Sequence, residues 1–268
     1  MTAENGAIFP EPALGTHEQR YYEAVYGQEV ETSTLPGEGW SVRERHAFDL
    51  LQVGTGVRIL ELGCGTGQHA VELAQRGGQV IAIDLALNGL QRGRKRAGAQ
   101  QVTDSVAVAV MDGHALGCAD GSMDRVFGAQ VLHHVDCAVV GAEVGRVLKA
   151  GGRAVFIENS DRNPLLMLAR RWLVGRLGVR RFGSLEEAPL QDDEIAAFCQ
   201  ASGTQVQIHL PQLCLTVLIA RHWLRVAWAM RLFLAVDRWL DRYVPPLRRW
   251  SFLQVLEFYK DDGTVVGS

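Results

Sequence analysis

Residues 57–70 read Val-Arg-Ile-Leu-Glu61-Leu-Gly63-Cys64-Gly65-Thr-Gly67-Gln-His-Ala, an apolar strand pattern that runs through three alternating glycines into a helix pattern. Glycines let a backbone turn sharply and approach a ligand with no Cβ in the way, and the helix behind them aims free amide groups at it. The next apolar run, 80–83, ends in Asp84, about 20 residues after the glycines, the placement of a carboxylate that accepts bonds from ribose hydroxyls. This is chemistry for holding a nucleoside. The dinucleotide fingerprint G-x-G-x-x-G does not fit, because the glycines follow G-x-G-x-G and position 68 is Gln; a P-loop would need G-K-[ST], which is absent. Glu61, just before the loop, disfavours a pyrophosphate and suits a cationic ligand.

Groups able to move a proton lie where later strands end. His133 and His134 follow the fourth strand pattern; Glu158, Asn159 and Asp161 follow the fifth. On an extended chain adjacent side chains point opposite ways, so at most one of the two histidines is expected to face the acceptor. The run His133-His134-Val-Asp136-Cys137 invites a metal reading, but neighbouring ligands converge poorly and no distant partner cluster is evident. No metal is expected. His69, in the helix after the glycine loop, reads as structural.

The elements that must position these groups alternate along the chain, the pattern of a parallel sheet with helices on both faces. Strands are expected at Val57–Leu62, Gln79–Asp84, Ser105–Val110, Asp124–Ala129, Arg153–Glu158, Thr204–Leu210 and Ser251–Tyr259. Helices are expected at Gly67–Arg76, Ala86–Ala97, Cys137–Lys149 and Asp192–Ala201. The last strand follows its neighbour through a hairpin-like insertion and is expected to run antiparallel. Residues 1–52 read as an N-terminal helical lid, with Tyr21, Tyr22 and Tyr26 able to close over the site. Residues 53–159 form the nucleoside-binding core, 160–191 a first cap insertion, and 192–260 the rest of the sheet with a helical insertion at 211–249; 261–268 reads as a tail. Both insertions would leave from the carboxyl ends of strands, where ligands bind in a doubly wound sheet.

Composition bounds the rest. The 268 residues are 47% hydrophobic and 7% aromatic, enough for a core. Five scattered cysteines show no C-x-x-C pair, which fits a reducing cytosol, and the first residues lack the basic-then-apolar pattern of a signal peptide. A net charge of −3 gives no reason to expect nucleic acid. That average hides 13 Arg against 8 Asp/Glu between Ser160 and Trp250, a stretch that also holds five of the six tryptophans. Arg outnumbers Lys 24 to 3, a hint of a GC-rich bacterium. From Leu213 to Leu240 the chain is apolar but broken by Arg221, His222, Arg225, Arg231, Asp237 and Arg238, so it does not span a bilayer. If the helix is continuous, the arginines share one arc. Three readings stay open: an amphipathic cap packed on the sheet, an apolar wall for a greasy acceptor, or a face resting on a membrane surface.

Glu61-Leu-Gly-Cys-Gly-Thr-Gly67 resembles the first motif of the class I S-adenosylmethionine-dependent methyltransferases, and four more segments match that family in order. Asp84 falls at its ribose-binding acid. Met111-Asp112-Gly113-His114 resembles the segment whose acid binds the adenine amino group. Gly121-Ser-Met-Asp124-Arg-Val-Phe with Val131-Leu-His-His-Val135 resembles the fourth strand and its turn, and Glu143–Gly152 the entry to the fifth, with Ala150 in place of a common proline. The resemblance covers about Val57 to Glu158. It implies a Rossmann-like, doubly wound, seven-stranded sheet that binds S-adenosylmethionine. Its cofactor site would comprise Glu61, Gly63, Cys64, Gly65, Gly67, Asp84, Leu85, Asp112, Gly113, His114, Ala129 and Gln130. More loosely, Glu158–Pro164 and Glu187–Leu190 resemble stretches of bacterial, UbiE-like (type 11) methyltransferases.

Methyl transfer from a sulfonium needs reactants held in line, and positioning alone supplies up to roughly 7–11 kcal/mol. A base is needed only where the acceptor must lose a proton; His134, His133 and Glu158 are the candidates. The implied enzyme is cytoplasmic and methylates a hydrophobic, lipid-like small molecule or specialised metabolite. Three rivals remain: a protein or peptide methyltransferase, a protein that binds the cofactor or S-adenosylhomocysteine without turnover, and a nicotinamide oxidoreductase, which the glycine spacing disfavours.

Overall fold

A computed structural model describes residues 17–27, 41–164, 166–168, 188–216 and 226–261. Helices α1 (His17–Gly27) and α2 (Val42–Leu51) precede β1 (Arg58–Leu62), α3 (Gln68–Gln75), β2 (Gln79–Asp84), α4 (Leu87–Ala99) and β3 (Val106–Val110). Then come β4 (Met123–Ala129), α5 (Cys137–Val147), β5 (Leu148–Asn159), α6 (Asp192–Ser202), β6 (Thr204–His209), α7 (Ala227–Tyr243) and β7 (Leu253–Lys260). The seven strands form one sheet in the order β3-β2-β1-β4-β5-β7-β6. Six run parallel; β7 is antiparallel, as the hairpin-like connection implied, and it inserts between β5 and β6.

Central strands here are buried on both faces and therefore carry near-continuous apolar runs. Alternate residues serve alternate faces. Ala154 and Phe156 of β5 join a cluster with Val140, Val144 and Val147 of α5 and Phe198 of α6, whereas Val155 and Ile157 pack on the opposite side with Phe48, Ala70, Leu73 and Leu90. Phe156, Phe198 and Phe258 meet in an aromatic cluster, with ring centroids 4.4–5.9 Å apart.

Local chemistry sets several boundaries. Asp136 caps α5 by accepting from the amides of Ala138 and Val139 at 2.9 and 3.1 Å. Gln191 and Glu194 form a capping box at the start of α6, and Gly203 ends that helix in the left-handed region. The expected helix over Cys137–Lys149 stops at Val147, because Leu148 already pairs with Met123 and opens β5.

Two larger expectations are corrected. Residues 42–51 serve the core rather than a lid: α2 buries Ala47, Phe48 and Leu51, and Arg125 and Arg153 fasten its last carbonyls, Leu51 and Leu50, at 2.6 and 2.8 Å. Nor is there a continuous helix over Leu213–Leu240. Residues 211–216 are not helical, and α7 begins after Val226, which is extended. Arg221, His222 and Arg225 lie outside the described residues, as do 1–16, the tail from 262 and most of 160–191.

Strand order reverses at β1, with β2 on one side and β4 on the other. A ligand in such a sheet binds in the crevice beyond the carboxyl ends flanking that switch. Gly63–Gly67 leave β1 there, Asp84 ends β2, and His133 and His134 follow β4.

Candidate functional site

The glycine loop is built from its amides outward. The Cys64 amide donates to the Ile83 carbonyl at 2.9 Å, tying the loop to β2, and the Gly67 amide donates to the Cys64 carbonyl at 2.8 Å, closing the turn. Gly63, Gly65 and Gly67 have φ of 63°, 51° and 69°, a region that side chains with a Cβ rarely enter. A Cβ at Gly63 would lie 2.8 Å from the Val131 side chain, and one at Gly65 would lie 2.8 Å from the Tyr26 hydroxyl. The space over the loop is thus bounded by β4's turn on one side and α1 on the other.

Two carboxylates flank it. Asp84 Oδ2 accepts from the Gly65 amide and Oδ1 from the Ala86 amide, both at 2.8 Å, so the carboxylate stitches the loop to the start of α4. Burial lifts the Asp84 carboxyl above its usual range, against the pull of those amides. Glu61 is fully buried beneath the loop; Oε1 lies 3.6 Å from His69 Nδ1, and Oε2 meets no hydrogen-bond partner among the described residues. Burial raises its carboxyl as well, and His69 opposes that rise. An orphaned acceptor costs about 1–3 kcal/mol. A ligand bringing an N–H donor and a positive charge to this loop would recover that cost, and S-adenosylmethionine carries both. The residues fit the cofactor. His69 itself packs edge-on against Phe48 and Phe127, a structural setting.

Past β3, Asp112 Oδ1 accepts from the His114 amide at 2.9 Å and meets His114 Nδ1 at 2.7 Å. His114 Nε2 accepts from the Asp136 amide at 3.1 Å, so the proton resides on Nδ1 and points at Asp112. Partial burial raises the Asp112 carboxyl, but the bonds from His114 outweigh it and the net shift is downward. Asp112 remains half-exposed and able to accept from a ligand. Gly113 lies between them in the same turn. At the end of β4, Ala129 leads into Gln130, which is held at φ 56° by two bonds to the Ile157 carbonyl, from its amide at 2.8 Å and its side chain at 3.1 Å.

The histidine pair departs from expectation. Residues 132–134 form one tight helical turn rather than an extended chain, so the two rings do not alternate; they lie 4.1 Å apart, centroid to centroid. His133 turns inward to Glu158 Oε2 at 2.7 Å. Glu158 Oε1 accepts from the Val131 and Leu132 amides at 2.8 and 2.7 Å, and the residue is 0% exposed. Glu158 therefore braces the turn after β4. His134 Nε2 instead meets the Tyr22 hydroxyl at 3.1 Å.

That contact comes from α1, which lies across the site. The Gln19 amide donates to the Leu85 carbonyl at 3.2 Å, and Glu23 accepts from the Asn88 amide at 3.2 Å. Tyr22 stacks on Tyr26 at 5.8 Å and meets Tyr21 edge-on at 5.1 Å. Burial, with Asp84 nearby, pushes the Tyr26 phenol up. Of the three tyrosines, Tyr22 meets His134 and Tyr26 lies against Gly65, while Tyr21 packs on Tyr22.

Sequence reading missed Gly89 and Gly93. Their helix α4 crosses directly behind the loop: a Cβ at Gly89 would lie 2.7 Å from the Gly65 carbonyl, and one at Gly67 would lie 2.8 Å from Gly93 Cα. The signal was the i, i+4 pair Gly89-Leu-Gln-Arg-Gly93, a spacing that lets two backbones approach.

A family model described as a methyltransferase domain matches residues 60–156, the stretch from β1 to β5. A demethylmenaquinone methyltransferase of Thermobifida fusca is 34% identical over 182 residues, covering 65% of this chain and 72% of that one. The methyltransferase GfsG of Streptomyces halstedii is 32% identical over 120 residues, and there the chain spans only 43% of the relative's length. In fold, the chain is similar to geranyl diphosphate C-methyltransferase from Streptomyces coelicolor A3(2), solved with Mg2+, geranyl diphosphate and S-adenosyl-L-homocysteine. The TM-score is 0.60 at 17% identity, over 92% of this chain and 98% of that one.

Proposed function

Since the chain belongs to the class I S-adenosylmethionine-dependent methyltransferases, we propose that it transfers the cofactor's methyl group to a hydrophobic small molecule. One observation carries the cofactor assignment: three left-handed glycines between a buried Glu61 with an unpaired oxygen and the loop-stitching Asp84. Glu61, Asp84 and Asp112 would hold the amino-acid end, the ribose and the adenine, with Gly63, Cys64, Gly65 and Gly67 cradling the ligand, and Leu85, Gly113, His114, Ala129 and Gln130 completing the walls. The bound cofactor supplies a methyl carbon on a sulfonium; the acceptor's electron pair forms the new bond while the carbon–sulfur pair returns to sulfur.

The chain's own residues supply alignment and exclude water. Val131 and Tyr26 bound the loop from two sides, and α1 covers it. Glu158 and His133 form a buried brace that fixes the turn carrying His134. His134 is the group positioned to take a proton where the acceptor must lose one. A hydrophobic acceptor is supported by the names of the relative acting on demethylmenaquinone and of the structure holding geranyl diphosphate, and by the apolar, Trp-rich stretch between β6 and β7.

Calorimetric titration with S-adenosylmethionine, S-adenosylhomocysteine and NADH tests the cofactor: the first two bind and the third does not. Binding of neither adenosyl compound overturns the assignment. With an acceptor that must lose a proton, His134→Gln lowers turnover while cofactor affinity stays; unchanged turnover removes His134 from that role.

A further inference from the structure

Helix α7 carries a face that no other part of the proposed reaction uses. At about 100° per residue, Arg238, Arg231, Arg242, Ala235, Trp228, Trp239, Leu232 and Tyr243 fall in that order within an arc of about 140°. All eight are exposed. Trp228, Leu232, Trp239 and Tyr243 are 67, 52, 58 and 63% exposed, a contiguous apolar strip where a soluble surface would carry polar side chains. Trp239 and Tyr243 pack on one another at 5.5 Å, and the Arg242 guanidinium lies 5.9 Å from the Tyr243 ring. The three arginines form a row along one edge of the strip, and the arc holds no carboxylate.

The other side of α7 is fastened to the protein. Asp237, fully buried, accepts from the Leu215 amide at 3.1 Å, the Thr216 amide at 2.8 Å and the Thr216 hydroxyl at 2.6 Å. Asp241 pairs with Arg248 at 2.9 Å. Both carboxylates of the helix are thus spent inward, which leaves the outer face purely apolar and cationic.

We propose that this face docks the protein on an anionic bilayer surface, with α7 lying in the interfacial plane. An apolar strip of Trp, Leu and Tyr beside a row of arginines is the arrangement that buries rings at headgroup depth while guanidinium groups meet lipid phosphates. Among the described residues no helix is long and apolar enough to cross a bilayer, and α7 has 17 residues. The insertion carrying it leaves the sheet at the carboxyl end of β6 and returns at the start of antiparallel β7, the same edge as the glycine loop and His134. Docking there brings the mouth of the site to the bilayer that would hold a lipid-like acceptor. This last step rests on the proposed acceptor class; the docking does not.

Cosedimentation of the full chain with vesicles, without cofactor or acceptor, tests the docking separately from methyl transfer. Wild type binds vesicles of phosphatidylcholine mixed with phosphatidylglycerol, binds pure phosphatidylcholine vesicles weakly, and loses binding as salt screens the arginines. Each arginine near the surface contributes about fivefold, so R231Q/R238Q/R242Q weakens binding about a hundredfold. W228S/W239S weakens it on both lipids. Both variants are exposed replacements, and an unchanged circular dichroism spectrum and calorimetric cofactor affinity show that they fold. Absence of binding to anionic vesicles, or binding that neither variant alters, overturns the proposal. So does a concentration-dependent dimer that W228S/W239S dissociates, because α7 would then face a second copy.

Discussion

Substituting alanine for a glycine in α4 has opposite consequences nine residues apart. A helical glycine costs about 0.5–1 kcal/mol relative to alanine, and both Gly89 and Gly98 lie in α4. At Gly98 an added Cβ would meet only the Thr103 hydroxyl, at 4.0 Å, so Gly98→Ala keeps the propensity gain and stabilises the protein. At Gly89 the same Cβ would lie 2.7 Å from the Gly65 carbonyl oxygen and 2.9 Å from Tyr26 Cδ2. Neither neighbour is a flexible side-chain tip, so the loop or α1 must move, at an overpacking cost of about 1–3 kcal/mol. The propensity gain is common to both variants and cancels. Gly98→Ala should therefore exceed Gly89→Ala in stability by about 1–3 kcal/mol in urea denaturation. Moving Gly65 also strains its 2.8 Å bond to Asp84, so Gly89→Ala binds S-adenosylmethionine more weakly while Gly98→Ala binds as wild type. A Gly89→Ala protein as stable as Gly98→Ala, with undiminished affinity, would refute the claim that α4 presses on the cofactor loop from behind.

Three further outcomes follow from the same geometry. Asp84→Ala removes the proposed ribose acceptor and the partner of the Gly65 amide, and should weaken cofactor binding by about 1.5–3 kcal/mol in calorimetry, the range of a hydrogen bond to a charged group. Asp237→Ala orphans the Leu215 and Thr216 amides at the base of α7, so denaturation should show a loss of about 1–3 kcal/mol per amide left unsatisfied, with cofactor affinity retained. His46 gives a pH signature. Burial, and then its neighbour His209, whose ring lies 5.0 Å away, hold the His46 imidazole below its ordinary range. As pH falls through about 6.5 the unfolded chain takes up this proton before the folded one, so stability declines on acidification until the folded imidazole also protonates. Urea midpoints compared at about pH 7.5 and about pH 5.5 should show a smaller drop for His46→Gln than for wild type.

The order of strands and helices was legible because parallel strands are short apolar runs, and because Gly63, Gly65, Gly67 and Asp84 sit at spacings that one chain segment dictates. The antiparallel β7 was legible too, since it follows β6 through an insertion that leaves and returns at one edge of the sheet. Local sequence also sufficed for the cofactor class. What it misjudged depended on contacts between distant segments. His133 and His134 appeared to alternate, but Glu158, 24 residues or more downstream, accepts the Val131 and Leu132 amides and winds residues 132–134 into a turn. Residues 42–51 looked like part of a lid, but Phe48 and Leu51 find a core formed by strands β1, β4, β5 and β7. The run from Leu213 looked continuous in hydropathy, yet Asp237 accepts the amides of Leu215 and Thr216, and the helix starts only after Val226. Periodicity reports the repeat of one element on its own. Which face that element buries, and where a carboxylate finds its donors, is decided by surfaces that only the folded chain brings together.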